Sequence, residues 1–412
     1  MQVGAPKEIA QAKVFKGEKM AGILSRTQNG ALFEYDPLYF DEARNDATRA
    51  VAYRMPLTSR RYSCSGINLH PFFAGLLPEG LRLEALQSQI KSSRDDMFSI
   101  LMASRPDIIG DVWISDTGKT PKKPKPIAKL EEVLFDDLFQ SSIRAANRSA
   151  PSHDLTIAGI QGKISARMIS FPVKIRSRNH EYILKLTPKD YPLLVENEAF
   201  FMHMAWSCGL ATAPVKLVRD RGGNAGLLVR RFDRIYDRPT KRFNRIHQED
   251  ACQFLDRYPA DKYRIGLSEI AAGIEELSTA PVLEILELLK VTAFSYLIGN
   301  GDMHAKNISL ITEPGTGRVR LSPAYDLLST VPYGDLRMAI RMEGRDDNLK
   351  LRDFVAFGER FGLRPTVVQQ MLDKLCRPAR AHIGRVSQIG FEKKVTEQIK
   401  KLAVKRIEEL TH

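Results

Sequence analysis

Over the first third of the chain the apolar positions fall in short runs separated by turn-forming residues, the pattern of β-structure. Val14 to Tyr35 is broken by Gly17 and by Gln28-Asn29-Gly30, where Asn-Gly marks a hairpin. The run Pro71 to Gly80 leads into a helix expected over Leu81 to Ile90, and Asp111-Val112-Trp113-Ile114 reads as a further strand. Lys119 to Pro126 breaks the pattern: its prolines lack amide donors and its lysines repel one another, so a linker or exposed excursion is expected there.

A helical stretch from Leu130 to Phe139 precedes strand-like sequence between Leu155 and Lys174 and again from Tyr182 to Leu186. Leu193 to Cys208 has helical periodicity and stops at Gly209; Val215 to Val218 and Leu227 to Phe232 read as strands around Gly222-Gly223-Asn224. From His247 onward helical patterns dominate: Glu249 to Phe254, Leu267 to Leu277, Val282 to Leu297, Leu349 to Phe357, Thr366 to Leu375 and Phe391 to Leu410. The exception is a hairpin expected from Ile308 to Ile311 and Arg318 to Leu321, joined by Pro314-Gly315-Thr316-Gly317. The expected class is α+β, a kinase-like two-lobed fold with an additional N-terminal β-rich domain. The expected divisions are 1–118 for that domain, 119–129 for a Lys/Pro-rich linker, 130–245 for a small ATP-binding lobe and 246–412 for a helical catalytic lobe.

At 412 residues the chain exceeds one ordinary core. With 43% hydrophobic and 27% charged residues it reads as a globular protein, and no apolar run approaches the roughly 18 residues of a membrane helix. The expectation is no membrane contact and, since Met1 to Lys13 lacks the apolar core of an export signal, a cytoplasmic location. Four cysteines lie far apart with no zinc-type spacing and read as reduced thiols. Lys plus Arg exceed Asp plus Glu, 62 to 49, a net +13 that suits either an anionic partner or solubility alone.

Chemistry concentrates in Gly299-Asn300-Gly301-Asp302-Met303-His304-Ala305-Lys306-Asn307, followed beyond the hairpin by Tyr325-Asp326. An Asp, an Asn five positions on and a later Asp reproduce the spacing of a kinase catalytic base and two magnesium ligands. Asp302 is thus the candidate base, while Asn307 and Asp326 offer the hard oxygens that Mg2+ prefers. The same three residues also serve as turn formers and helix caps, so that reading stays open. Lys306 lies where it reaches a terminal phosphate, and His304 where it braces the loop.

Lys185 sits mid-strand among apolar neighbours and requires an anionic partner. Glu198 in the next helix supplies one, as a kinase strand lysine and helix glutamate do, with Glu196 the competing choice. Upstream, Thr156 to Ser165 includes Gly159, Gln161, Gly162 and Lys163 in a turn whose backbone amides suit phosphates, although it matches neither standard glycine motif and also reads as a plain hairpin turn. Val229 to Asp233, with Arg230 and Phe232, is where a strand between the lobes would offer backbone to adenine.

In their order along the chain these pieces resemble the HipA family of toxin serine/threonine kinases. The matching segments are Phe72 to Glu79, Thr156 to Lys163, Ile183 to Lys185, Asn197-Glu198, Arg231 to Arg234, Gln248 to Gln253, Gly299 to Asn307 and Tyr325-Asp326. The resemblance implies ATP and Mg2+ as cofactors, Lys185 on the ATP phosphates, Asp302 as base and Asn307 with Asp326 on the metal. It further implies a helix-turn-helix antitoxin partner, operator DNA bound through that complex, and an aminoacyl-tRNA synthetase as protein substrate. Thr156 occupies the position at which such kinases phosphorylate themselves, commonly on Ser. Arg230 stands where a glutamate is usual, a change that recognition through backbone tolerates. The alternatives are a small-molecule kinase and a catalytically idle co-repressor acting with an antitoxin on operator DNA.

Overall fold

A computed structural model of the chain describes residues 9–66, 69–91, 93, 95–104, 109–116, 130–138, 169–173, 179–187 and 191–412. The N-terminal region forms an antiparallel five-stranded sheet in the order Arg61–Ser65, Gly30–Tyr35, Lys19–Thr27, Gln11–Lys16, Val112–Ser115. The expected hairpin is present, with Thr27 opposite Gly30 and Gln28-Asn29 at the tip. Gly22 is required where it crosses the next strand, because a Cβ there would lie 2.3 Å from the carbonyl oxygen of Glu34. Alternation sends Val14, Leu24, Phe33 and Tyr35 to one buried face, against Tyr39, Phe72, Phe73 and Phe98 from three helices: Pro37–Ala43, Pro71–Gly75 and Met97–Ala103. Those three short helices carry no long apolar period and were not expected. The helix at Gly80–Ile90 was.

A second antiparallel sheet runs Ile169–Val173, Tyr182–Leu186, Ala225–Arg230, Val215–Arg219, with helix Leu194–Ser207 packed on one face. The strand expected to reach Phe232 ends at Arg230, and a hairpin absent from the sequence reading follows, Arg234–Asp237 paired with Arg242–Arg245. The expected helix from Glu249 is also corrected. His247–Asp250 is a strand against Ser309–Thr312, and only Ala251–Phe254 is helical. All four strand residues are polar and all four are buried, so neither periodicity marks them. Asp250 turns strand into helix through a capping box, its Oδ1 accepting from Gln253 N and its own N donating to Gln253 Oε1, both at 3.0 Å.

The expected hairpin completes this sheet, Ser309–Thr312 pairing with Val319–Leu321. Around it pack Leu267–Leu277, Pro281–Ile298, Leu351–Arg360, Pro365–Ile383 and Lys393–Thr411, sharing one large apolar core. None of the helices among the described residues is long and apolar enough to cross a membrane.

The N-terminal region is locked to the rest by polar contacts, buried at Gln253 and Asp233 and exposed at Arg54. Gln253 Nε2 donates to Phe72 O at 2.9 Å, Gly110 N donates to Asp233 Oδ2 at 2.9 Å, and Arg54 forks onto both Glu276 oxygens at 2.6 and 2.7 Å. His247 lies between Asp111 and Glu249, 2.9 Å from each, with Lys16 also on Asp111. Burial and Lys16 pull His247 towards its neutral form, but the two carboxylates outweigh them and raise it above the ordinary histidine value. A raised group stabilises fully below its unfolded value, about 6.5, and that contribution fades as pH climbs through the folded value. Urea unfolding compared between about pH 6 and pH 9 should therefore show less loss of stability for His247→Gln than for wild type. Equal loss in both would contradict the assignment.

Candidate active site

Strand alternation separates the side chains of Tyr182–Leu186. Leu184 and Leu186 join Phe135 and Leu228 in one apolar cluster, and Lys185 emerges on the opposite face, beneath helix Leu194–Ser207. There its Nζ lies 2.7 Å from Glu198 Oε1 and 2.8 Å from Asp326 Oδ1, so Glu198 rather than Glu196 is the helix partner. Burial alone would weaken the ammonium, but Asp326 and Glu198 outweigh it and raise Lys185 above its ordinary value. Glu198 is 0% exposed, and its carboxyl is raised because burial and nearby Asp326 outweigh Lys185. Asp326 is lowered: Lys185 and its hydrogen bonds overcome the burial penalty.

The loop that carries Asp302 and Asn307 starts where helix Pro281–Ile298 ends at Gly299, with φ +69°. A Cβ on Gly301 would meet Arg337 O at 2.6 Å, and Gly301 N donates to Thr330 Oγ1 at 2.7 Å. These constraints aim Asp302, 4% exposed, at Tyr263, whose hydroxyl donates to Asp302 Oδ1 at 2.8 Å. His304 N donates to Asn307 Oδ1 at 2.9 Å and fixes that amide. Burial and Lys262 push the His304 ring down to about 4, so it is neutral near pH 7 and packs its edge on Tyr263. Asn307 Nδ2 in turn donates to Asp326 Oδ2 at 2.9 Å.

Asp326 has φ +62°, a conformation costly for a non-glycine residue. The neighbours hold it there. Tyr325 OH donates to Lys306 O at 2.7 Å, and Ala324 N donates to Ala211 O at 2.7 Å. Asn197 clamps Ser329 through both halves of its amide, at 2.8 and 3.1 Å. No helix starts at Leu327, so Asp326 is not a helix cap.

Four of the expected residues therefore form one connected line, Glu198 to Lys185 to Asp326 to Asn307, with Asp302 in the same loop. Lys306 is placed differently from the reading at a terminal phosphate. Its ammonium is held by Asp250 Oδ2 at 2.9 Å, Glu79 Oε1 at 3.0 Å and Gly75 O at 3.2 Å. Arg230 closes its strand, its N–H donating to Pro214 O at 2.8 Å, and Phe232 packs 5.7 Å from the Tyr325 ring. Thr156, Gly159, Gln161, Gly162, Lys163 and the Lys/Pro-rich stretch lie outside the described residues. Tyr263 and Lys262 escaped the sequence reading because 39 residues of chain separate Tyr263 from Asp302 and no spacing rule links them.

Asn307 and Asp326 fit magnesium. Both carry hard oxygens, they touch one another, and Mg2+ commonly takes one or two protein oxygens and leaves its other positions to water and phosphate. No cluster of three His, Cys, Asp or Glu suited to a metal exists among the described residues.

A two-lobed fold with a strand lysine on a helix glutamate, and an Asp and Asn in one loop, is the layout of the kinase class. The chain belongs to the HipA family: the HipA-like C-terminal domain matches residues 155–383 and the HipA N-terminal domain matches 12–115. It is 32% identical over 323 residues, 74% of this chain and 75% of the relative, to the putative kinase Y4mE of Sinorhizobium fredii. It is 28% identical over 329 residues, 74% of each chain, to the serine/threonine-protein kinase toxin HipA of Shewanella oneidensis. The solved complex of HipA, HipB and operator DNA from Shewanella oneidensis contains a chain of the same fold, with TM-score 0.71 at 20% identity over 97% of this chain and 99% of that one.

Removing Lys185 leaves two carboxylates facing each other out of water. Lys185→Met should therefore lower unfolding free energy by about 3 kcal/mol, and adding Glu198→Gln should recover part of that loss. Chemical denaturation measures both; a cost under about 1 kcal/mol for the single variant would show that the triad is not coupled.

Proposed function

We propose that the protein is a serine/threonine kinase of the toxin type, transferring the terminal phosphoryl group of ATP to a hydroxyl on a protein. The observation that carries this reading is the unbroken line from Glu198 through Lys185 and Asp326 to Asn307, ending in the loop of Asp302. Lys185 binds and orients phosphate oxygens, with Glu198 keeping its ammonium in place. Asn307 and Asp326 would hold the divalent cation, which when bound would neutralise charge on the transferred group. Asp302, oriented by Tyr263, takes the proton of the acceptor hydroxyl as that oxygen forms its bond to phosphorus and the bond to the ADP oxygen breaks. His304, held neutral by burial, adds no positive charge beside the base and fixes Asn307 through its backbone amide.

The family relationship favours an aminoacyl-tRNA synthetase as acceptor and a helix-turn-helix antitoxin as the restraining partner. The Shewanella oneidensis complex supports the antitoxin and, through it, operator DNA, and the net charge of +13 suits the approach to an acidic surface.

Incubating the protein with Mg2+, γ-labelled ATP and cell extract tests the reading. Label should appear on Ser or Thr of a discrete protein, and Asp302→Asn should slow its incorporation by about 10²- to 10⁴-fold. Label confined to small metabolites, or no label with wild type, would overturn the proposal.

A further inference from the structure

The segment Leu77-Pro78-Glu79-Gly80 belongs to the N-terminal region, yet its glutamate reaches the catalytic loop. Glu79 stands at the N-cap of helix Gly80–Ile90 and makes no capping bond with its side chain. Its carboxylate instead spans two lysines, Oε2 lying 2.6 Å from Lys262 Nζ and Oε1 3.0 Å from Lys306 Nζ. Each lysine is next in sequence to a group that the site requires. Lys262 precedes Tyr263, the donor to Asp302, and Lys306 precedes Asn307. The two lysine segments are also joined directly, Ala305 N donating to Lys262 O at 3.1 Å.

We propose that Glu79 is a positioning residue for the catalytic loop: one carboxylate from the N-terminal region grips Lys262 and Lys306 together and so sets both Asp302 and Asn307. The charges balance only with it in place, since Glu79 and Asp250 face two ammonium groups. Without Glu79, Lys306 keeps only Asp250 and the carboxylate that joins it to Lys262 is gone, so two ammonium groups whose side chains are 11% exposed repel one another. The neighbouring Gly75 strengthens the grip by accepting from Lys306 and by leaving room for Gln253, whose Cγ a Cβ at residue 75 would meet at 2.5 Å. Alignment of the catalytic loop thereby depends on the N-terminal region staying docked, which gives any partner that shifts that region a means to change turnover without touching the nucleotide.

The inference rests on the kinase reading, and two measurements on full-length protein separate the fate of each. In Glu79→Gln, hydrogen exchange at the His304, Ala305 and Asn307 amides should quicken about tenfold or more, while the amides of helix Pro281–Ile298 stay as protected as in wild type. In the same variant kcat should fall about tenfold or more, because the alignment of Asp302 and Asn307 is lost while Lys185 keeps its two carboxylate partners. Unchanged exchange in the loop overturns the proposal, as does exchange that quickens throughout the lobe, or an unchanged kcat in an active enzyme. Wild type without turnover defeats the kinase reading, and loop exchange alone then decides whether Glu79 orders Asp302 and Asn307. Should Glu79→Gln not fold, Glu79→Asp is judged by the same outcomes, since a carboxylate one methylene shorter does not span both lysines.

Discussion

The site depends on one buried ammonium. Lys185 emerges from a strand whose neighbouring side chains are apolar, where an isolated charge would cost several kcal/mol to desolvate. Two carboxylates from distant parts of the chain converge on it, Glu198 from the helix packed on the sheet and Asp326 from beyond the hairpin. Such a triad adds little net stability over an apolar replacement, but it ties strand, helix and the segment beyond the hairpin to one point, since removing any one partner leaves a buried charge uncompensated. That requirement draws the two lobes together at the candidate site.

From this contact order spreads outward by hydrogen bonds. Asp326 holds Asn307, Asn307 is fixed by the His304 amide, and Tyr325 ties the same strained turn to the carbonyl of Lys306. The left-handed backbone at Asp326 is the conformational cost of presenting one carboxylate to both Lys185 and the Asn307 amide. On the far side of the loop, Glu79, Asp250 and the two lysines form a second balanced cluster, and His247 between Asp111 and Glu249 forms a third. The N-terminal region is thus continuous with the loop of Asp302 and Asn307 through polar contacts as well as apolar packing.

What the sequence revealed follows from the range of the interactions. Leu267–Leu277 shows its apolar stripe and occupies the residues expected, and the hairpin at Ser309–Leu321 is marked by Pro314-Gly315 between two apolar runs. The contact of Asn307 with Asp326 was legible because the hairpin between them is a short excursion. His247–Asp250 was misread since its four buried positions are polar, satisfied by tertiary bonds that leave no periodic trace. Lys306 reads as a phosphate ligand from its place in the loop, yet its partners, Glu79 and Asp250, lie hundreds or tens of residues away and no spacing announces them. Tyr263 is hidden for the same reason.

The most direct test is a crystal structure of the protein with Mg2+ and a non-hydrolysable ATP analogue. The account predicts a cation about 2.1 Å from oxygens of both Asn307 and Asp326, Lys185 on the phosphate oxygens with Glu198 still behind it, and Asp302 facing the terminal phosphate. A nucleotide seated away from Lys185, or a cation held by neither Asn307 nor Asp326, would contradict it.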